Sequence, residues 1–140
     1  MKILLVSDSH GNRDLLIKLA NIYRDYTKIH LGDRGFDKSL LDNLGFIYID
    51  GNCDYGNNKD KVISIDNQTI FITHGDKYNI KFDLNKLYFK ALEVSANIVF
   101  FGHTHIQTNI IYDNIRFINP GALINNNYCI IEDNDIKFYK

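Results

Sequence analysis

Seven side chains able to bind a metal stand at the ends of short apolar runs: Asp8 and His10, Asp33, Asn52, His74, and the pair His103 and His105. Four of the five histidines are among them. A His-X-His pair alone reads as readily as hydrogen-bonded structure, but histidines scattered through a core have no reason to choose run ends so consistently. Imidazole with carboxylate suits manganese, iron, zinc or nickel better than magnesium or calcium, which favour oxygen. Four imidazoles and three carboxylate or amide oxygens are too many for one ion. They suffice for two ions about 3.5–4 Å apart with one carboxylate shared. Asp33, the lone ligand of its run in the middle of the set, is the natural bridge.

Holding such a set together requires strands. Residues 2–7 form an apolar strand that ends at Asp8-Ser9-His10. Residues 14–25 carry Leu15, Leu16, Leu19, Ala20 and Tyr23 at helical spacing. Residues 28–31 make a second strand stopping at Gly32-Asp33, and a short helix over 38–44 leads to a third strand, 46–49. This β-α-β-α-β order predicts a parallel sheet covered by helices, with ligands at the carboxyl ends of its strands. Residues 62–65 and 69–73 turn at Asp66-Asn67 as a hairpin. Residues 83–95 read as the longest helix, with Asp83 as its N-cap, and 98–101 as the strand ahead of Gly102. Two further strand pairs, 109–112 with 115–118 and 128–132 with 136–139, each turn at an Asp-Asn step. The natural architecture is two packed sheets with helices outside.

The chain has 140 residues, enough for one domain with a real core and too few for two, so residues 1–140 read as a single domain. It is 45% hydrophobic and 24% charged, which is globular composition. A net charge of -1 with scattered lysines excludes a footprint for non-specific nucleic-acid or membrane-surface binding. No apolar stretch approaches the length of a membrane span, and the apolar run at the N-terminus is too short for a signal peptide. Cys53 and Cys129 form no spacing motif, which suits a reducing compartment and predicts a cytoplasmic protein. The sequence leaves room for a homo-oligomer.

In order, Asp-X-His at 8–10, Gly-Asp at 32–33, Gly-Asn-Cys-Asp at 51–54, Thr-His-Gly at 73–75, Gly-His-Thr-His at 102–105 and Asn-Pro-Gly at 119–121 resemble the calcineurin-like metallophosphoesterases. The match runs over residues 1–122 and is closest to their small bacterial and archaeal phosphodiesterase branch, which also contains the scaffold subunit of retromer. The resemblance implies an α/β fold, a four-layer α/β/β/α sandwich of two mixed sheets flanked by helices. It implies one ion held by Asp8, His10, Asp33 and His105, and a second held by Asp33, Asn52, His74 and His103. The ions would be divalent transition metals, manganese first, with nickel, zinc or iron as alternatives. The implied reaction is in-line attack on a small phosphodiester or nucleotide by a hydroxide bridging the two ions. Asp33, Asn52, Asp54 and His103 are then the catalytic candidates. A non-catalytic interaction scaffold is the rival, disfavoured because every ligand position is filled. A nuclease role is disfavoured by the absent basic track.

Residues near the set carry further expectations. Cys53 stands where many relatives have a histidine thought to assist the leaving group; its thiol reads as packing, and Asp54 as a group orienting a ligand or water. Asp76 stands where close relatives have histidine, and reads equally as a site residue or a solvated loop. The serine and arginine that tend to follow Asn-Pro-Gly are missing after Gly121. Arg34 could grip phosphate bidentately, though a surface ion pair is preferred. Asn12 could contact phosphate, though capping the first helix is the better reading. His30 reads as a satisfied core histidine or one that supports a neighbouring ligand, and Tyr55 and Tyr78 as walls of the cleft.

Overall fold

Strand β1 (Lys2–Val6) is apolar on both faces, and each face meets a different partner. The computed structural model describes all 140 residues. In it Ile3 and Leu5 point into a fully buried layer with Ile29, Leu31, Ile49, Ile70, Ile72 and Phe100. Leu4 and Val6 point the other way, onto Leu16 and Leu19 of helix α1 (Arg13–Ile22) and Leu41 of helix α2 (Ser39–Asn43). Period-two alternation in a strand buried on both sides therefore creates two layers of core at once.

One sheet runs in the order β10-β9-β1-β2-β3. Here β2 is Thr27–His30, β3 Phe46–Tyr48, β9 Tyr128–Glu132 and β10 Asp135–Tyr139. Its β1, β2 and β3 are parallel, with Val6 beside His30 and His30 beside Tyr48, so their carboxyl ends share one edge. The other sheet runs β4-β5-β6-β8-β7. Its strands are β4 (Asp60–Ile65), β5 (Gln68–Thr73), β6 (Ile98–Phe100), β7 (Thr108–Tyr112) and β8 (Ile115–Asn119), with β5, β6 and β8 parallel. Helix α3 (Asn85–Glu93) covers its outer face through Leu87 and Ala91, against Phe71, Val99 and Phe117. Both sheets are mixed, and the order of layers is α/β/β/α, as the resemblance implies. No helix is long and apolar enough to cross a membrane.

Two local expectations change. The longest helix is α1, of ten residues, and not α3, of nine. Leu84 occupies the cap position of α3, while the Asp83 carboxylate accepts the Asn85 N–H at 3.0 Å from one residue further out. Of the strands before Gly102, β4 is the one that ends in no candidate ligand.

Candidate metal centre

The carboxyl ends of β1, β2 and β3 in one sheet, and of β5 and β6 in the other, converge on one edge of the sandwich. Backbone pairing continues past the strands: Asp8 N–H donates to Gly32 O (2.9 Å), His10 N–H to Asp33 O (3.0 Å) and Gly102 N–H to His74 O (3.0 Å). Asp8, His10, Asp33, His103 and His105 all take left-handed backbone conformations, with φ between 42° and 68°. Such conformations are uncommon for residues with a Cβ and cost of order 1 kcal/mol or more each, so the surrounding structure must impose them. Two glycines make this crowding feasible. A side chain at Gly102 would overlap the Ser7 hydroxyl and the Asp8 carboxylate, and one at Gly51 would overlap Asp33.

Two clusters of ligand atoms result, Asp8 with His10 and His105, and Asp33 with His74 and His103, the atoms of each lying within 4.8 Å of one another. Asp8 Oδ1 faces His105 Nε2 at 3.1 Å and His10 Nε2 at 3.5 Å. Asp33 Oδ2 faces His74 Nε2 at 3.1 Å, and His74 Nε2 lies 3.3 Å from His103 Nδ1. The clusters touch, because Asp33 Oδ2 is also 3.8 Å from His10 Nε2, and Asp8 Oδ1 is 3.8 Å from His74 Nε2. One oxygen of Asp33 thus stands between the two groups.

The second oxygens of both aspartates and Nδ1 of His74 are already committed. Asp33 Oδ1 accepts the Cys53 N–H (2.8 Å), and Asp8 Oδ2 accepts the Ser7 hydroxyl and the His103 N–H (3.1 Å). His74 Nδ1 donates to Leu31 O (2.8 Å), which leaves the Nε2 lone pair aimed into the cluster. Two carboxylates and four imidazoles packed this closely form a donor set that fits divalent transition-metal ions.

Electrostatics follow the geometry. Burial pushes the Asp33 carboxyl up, but the hydrogen bond and charge of His74, with the Cys53 N–H, outweigh it and hold it well below the usual carboxylate range. Burial works against a charge on His74, yet Asp33 and Asp8 prevail and raise its pKa. His103 is shifted down, first by burial and then by His74 and Lys81.

Asn52 is the one amide among the expected ligands. It is exposed, and its amide donates to Cys53 Sγ at 3.6 Å. Asp54 faces the backbone and not the cleft: its carboxylate accepts the N–H groups of Asp33 (2.7 Å), Gly51 (2.8 Å) and Arg34 (3.1 Å), so it fixes the loop that carries Asp33.

Arg34 makes neither of the contacts considered for it. It is buried, with its guanidinium on Asp50 (2.7 Å) and near Asp54 (3.5 Å), so it is spent on an internal ion pair away from solvent. Asn12 caps α1, its Oδ1 accepting the Leu15 N–H (3.4 Å) while its amide donates to Leu123 O (3.2 Å). Tyr55 is 97% exposed and Tyr78 donates to Asp60 while packing on Phe71, so neither walls the cleft. Asp76 and Lys81 both lie close enough to His103 to act on its charge.

Sequence reasoning anticipated a satisfied His30 but missed Asn119 and Ser9 as supports. Buried Asn119 donates to Gly102 O and Thr104 Oγ1 (both 3.0 Å), so it holds the His103 loop. His30 Nδ1 accepts the Gly32 N–H (3.1 Å), which leaves Nε2 to donate to Ser9 Oγ (2.9 Å), and Ser9 donates on to Arg34 O (2.8 Å). The signal was the position of Ser9 and Asn119 on otherwise apolar strand ends.

Burial, and then the Arg34 charge, lower the His30 pKa from 6.5 to about 3. The fold therefore keeps His30 neutral, whereas the unfolded chain takes up a proton near pH 6.5. His30 contributes stability that is present above pH 6.5 and lost as pH falls towards about 3. The urea midpoint of the metal-free protein should drop between pH 7 and pH 5, and His30→Gln should flatten that drop. Equal pH slopes in the two proteins would contradict the assignment.

Comparison with known proteins agrees with this fold. The model of the calcineurin-like phosphoesterase superfamily domain matches residues 1–131. The probable metallophosphoesterase YsnB of Bacillus subtilis is 32% identical over 127 residues, covering 88% of this chain and 75% of its own. A conserved protein of Streptococcus pneumoniae, described as a predicted phosphoesterase, superposes with a TM-score of 0.87 at 26% identity, over 99% of this chain and 88% of its own. An archaeal phosphodiesterase shares the fold at a TM-score of 0.75 and 23% identity, over 99% of both chains.

Proposed function

The chain belongs to the calcineurin-like phosphoesterase superfamily, and on that premise we propose that it is a two-metal phosphodiesterase acting on a small diester or nucleotide. The observation that carries this reading is Asp33 Oδ2, placed between His74 and His10 so that one carboxylate oxygen joins both clusters. One ion would be held by Asp8, His10, Asp33 and His105, the other by Asp33, Asn52, His74 and His103, with manganese the first choice. When bound, the ions would lower the pKa of water and neutralise charge on the phosphoryl oxygens.

The chain's own groups keep the ligands pre-aimed. Leu31 O fixes the tautomer of His74, the Ser7 hydroxyl and the His103 N–H hold Asp8, and Asp54 holds the Asp33 backbone. His10 and His105 remain 32% and 39% exposed, so substrate reaches the centre from solvent. Arg34 is committed to Asp50 and gives the phosphate no cation. A cytoplasmic setting accords with two unpaired cysteines, one of them exposed.

A panel of mono- and diesters and cyclic nucleotides, assayed with Mn, Ni, Zn and Mg, tests the reading. Metal-dependent turnover of bis-p-nitrophenyl phosphate, insensitive to salt and without DNA binding, is the expected result. No turnover with any metal, in protein shown to hold ions, would favour a non-catalytic scaffold.

A further inference from the structure

We infer that the groove between the loop ahead of α3 and strand β7 seats an apolar, ring-sized ester arm of the substrate. The inference rests on the hydrolase reading above and narrows its substrate to diesters carrying an aromatic or similarly apolar group. The groove's lining joins apolar Ile80, Leu84, Ile106 and Ile110 to polar Lys81 and Thr104, around a cavity of about 380 Å³. That volume lies in the range of small-ligand pockets and accommodates an aromatic ring.

Position ties the groove to the metal centre. Thr104 lies between His103 and His105, so the groove begins on the loop that supplies one ligand to each cluster. The Thr104 oxygen already accepts the Asn119 amide (3.0 Å) and the Ile106 N–H (3.2 Å). Its hydroxyl proton is left for an acceptor arriving from outside. Lys81 is the only charged residue of the lining.

Charge and polarity complement a phosphodiester: one groove joins a cation and a hydroxyl donor to apolar surface. Ile106 and Ile110 are 66% and 46% exposed, apolar surface left uncovered beside a polar centre. An apolar arm anchored by its phosphate would cover them and gain the burial.

Benzylphosphonate and methylphosphonate, unreactive phosphate mimics differing only in the ring, test this by calorimetry on Mn-loaded protein. Methyl NMR of Ile80, Leu84, Ile106 and Ile110 gives a parallel readout. Wild type should bind benzylphosphonate about tenfold more tightly, the order expected of burying part of one ring, and only that ligand should shift the groove methyls. Ile110→Ser should bring the ratio towards one, and Lys81→Gln should weaken both ligands. Equal affinity for the two, with no groove shifts, overturns the groove and leaves the hydrolase reading intact. Binding of neither ligand overturns both.

Discussion

Asp33→Asn is expected to lower metal-dependent diester hydrolysis by roughly a hundredfold to a thousandfold or more. Metal charge stabilisation is worth several kcal/mol, and each factor of ten in rate corresponds to about 1.4 kcal/mol. Asparagine is nearly isosteric and keeps an oxygen to accept the Cys53 N–H, so the backbone should stay in place. What disappears is the negative charge at Oδ2, the atom shared between His74 and His10. Because both clusters lose it, manganese titration should show weakened binding at both sites and not at one alone. An unchanged thermal midpoint with lost turnover would locate the defect in the centre. Wild-type turnover in this variant would sink the two-metal assignment.

Arg34→Met should give the largest loss of stability at a position that holds no metal. The guanidinium and the Asp50 carboxylate are 6% and 5% exposed, with the side chain also lying over the Tyr48 ring. Removing the cation strands Asp50, whose Oδ2 keeps only the Asn58 N–H (3.0 Å). Breaking one side of a buried pair costs about 3–5 kcal/mol, which in a chain of this length means a thermal midpoint lower by about 10 °C or more. Adding Asp50→Asn should recover part of that loss, since the damage comes from the stranded charge and not from the missing arginine. A melt within about 2 °C of wild type would show that water reaches Asp50 and relieves it.

The two variants also mark what could be read from the sequence. Asp8, Asp33, His74 and the His103–His105 pair were legible because each signal is local: an apolar run, a glycine, then a polar residue with nowhere else to go. The layer order was legible for the same reason, since strand and helix periods repeat within a few residues. Arg34 was misread because its partner lies 16 residues on, at the end of another strand. Asp54 was read as a group orienting a ligand or water; the N–H groups it holds, Asp33 among them, lie up to 21 residues away. Tyr78 likewise found Asp60, 18 residues back, and Tyr55 found solvent. In each case the missing information was the path of a loop, which composition and spacing do not encode.

Strand β1 carries Asp8 and His10 into the centre, yet its second neighbour in the sheet is β9, with Leu5 opposite Cys129. During synthesis β1 can pair with β2 early, but its other edge stays bare until residues near 130 have left the ribosome. The edge so exposed is apolar on both faces, the kind that recruits strands from other chains. Pairings this distant in sequence also close slowly. The nascent chain therefore depends on its last strands to shield its first, and loss of the β9–β10 hairpin should redirect folding into aggregation before a metal site can assemble.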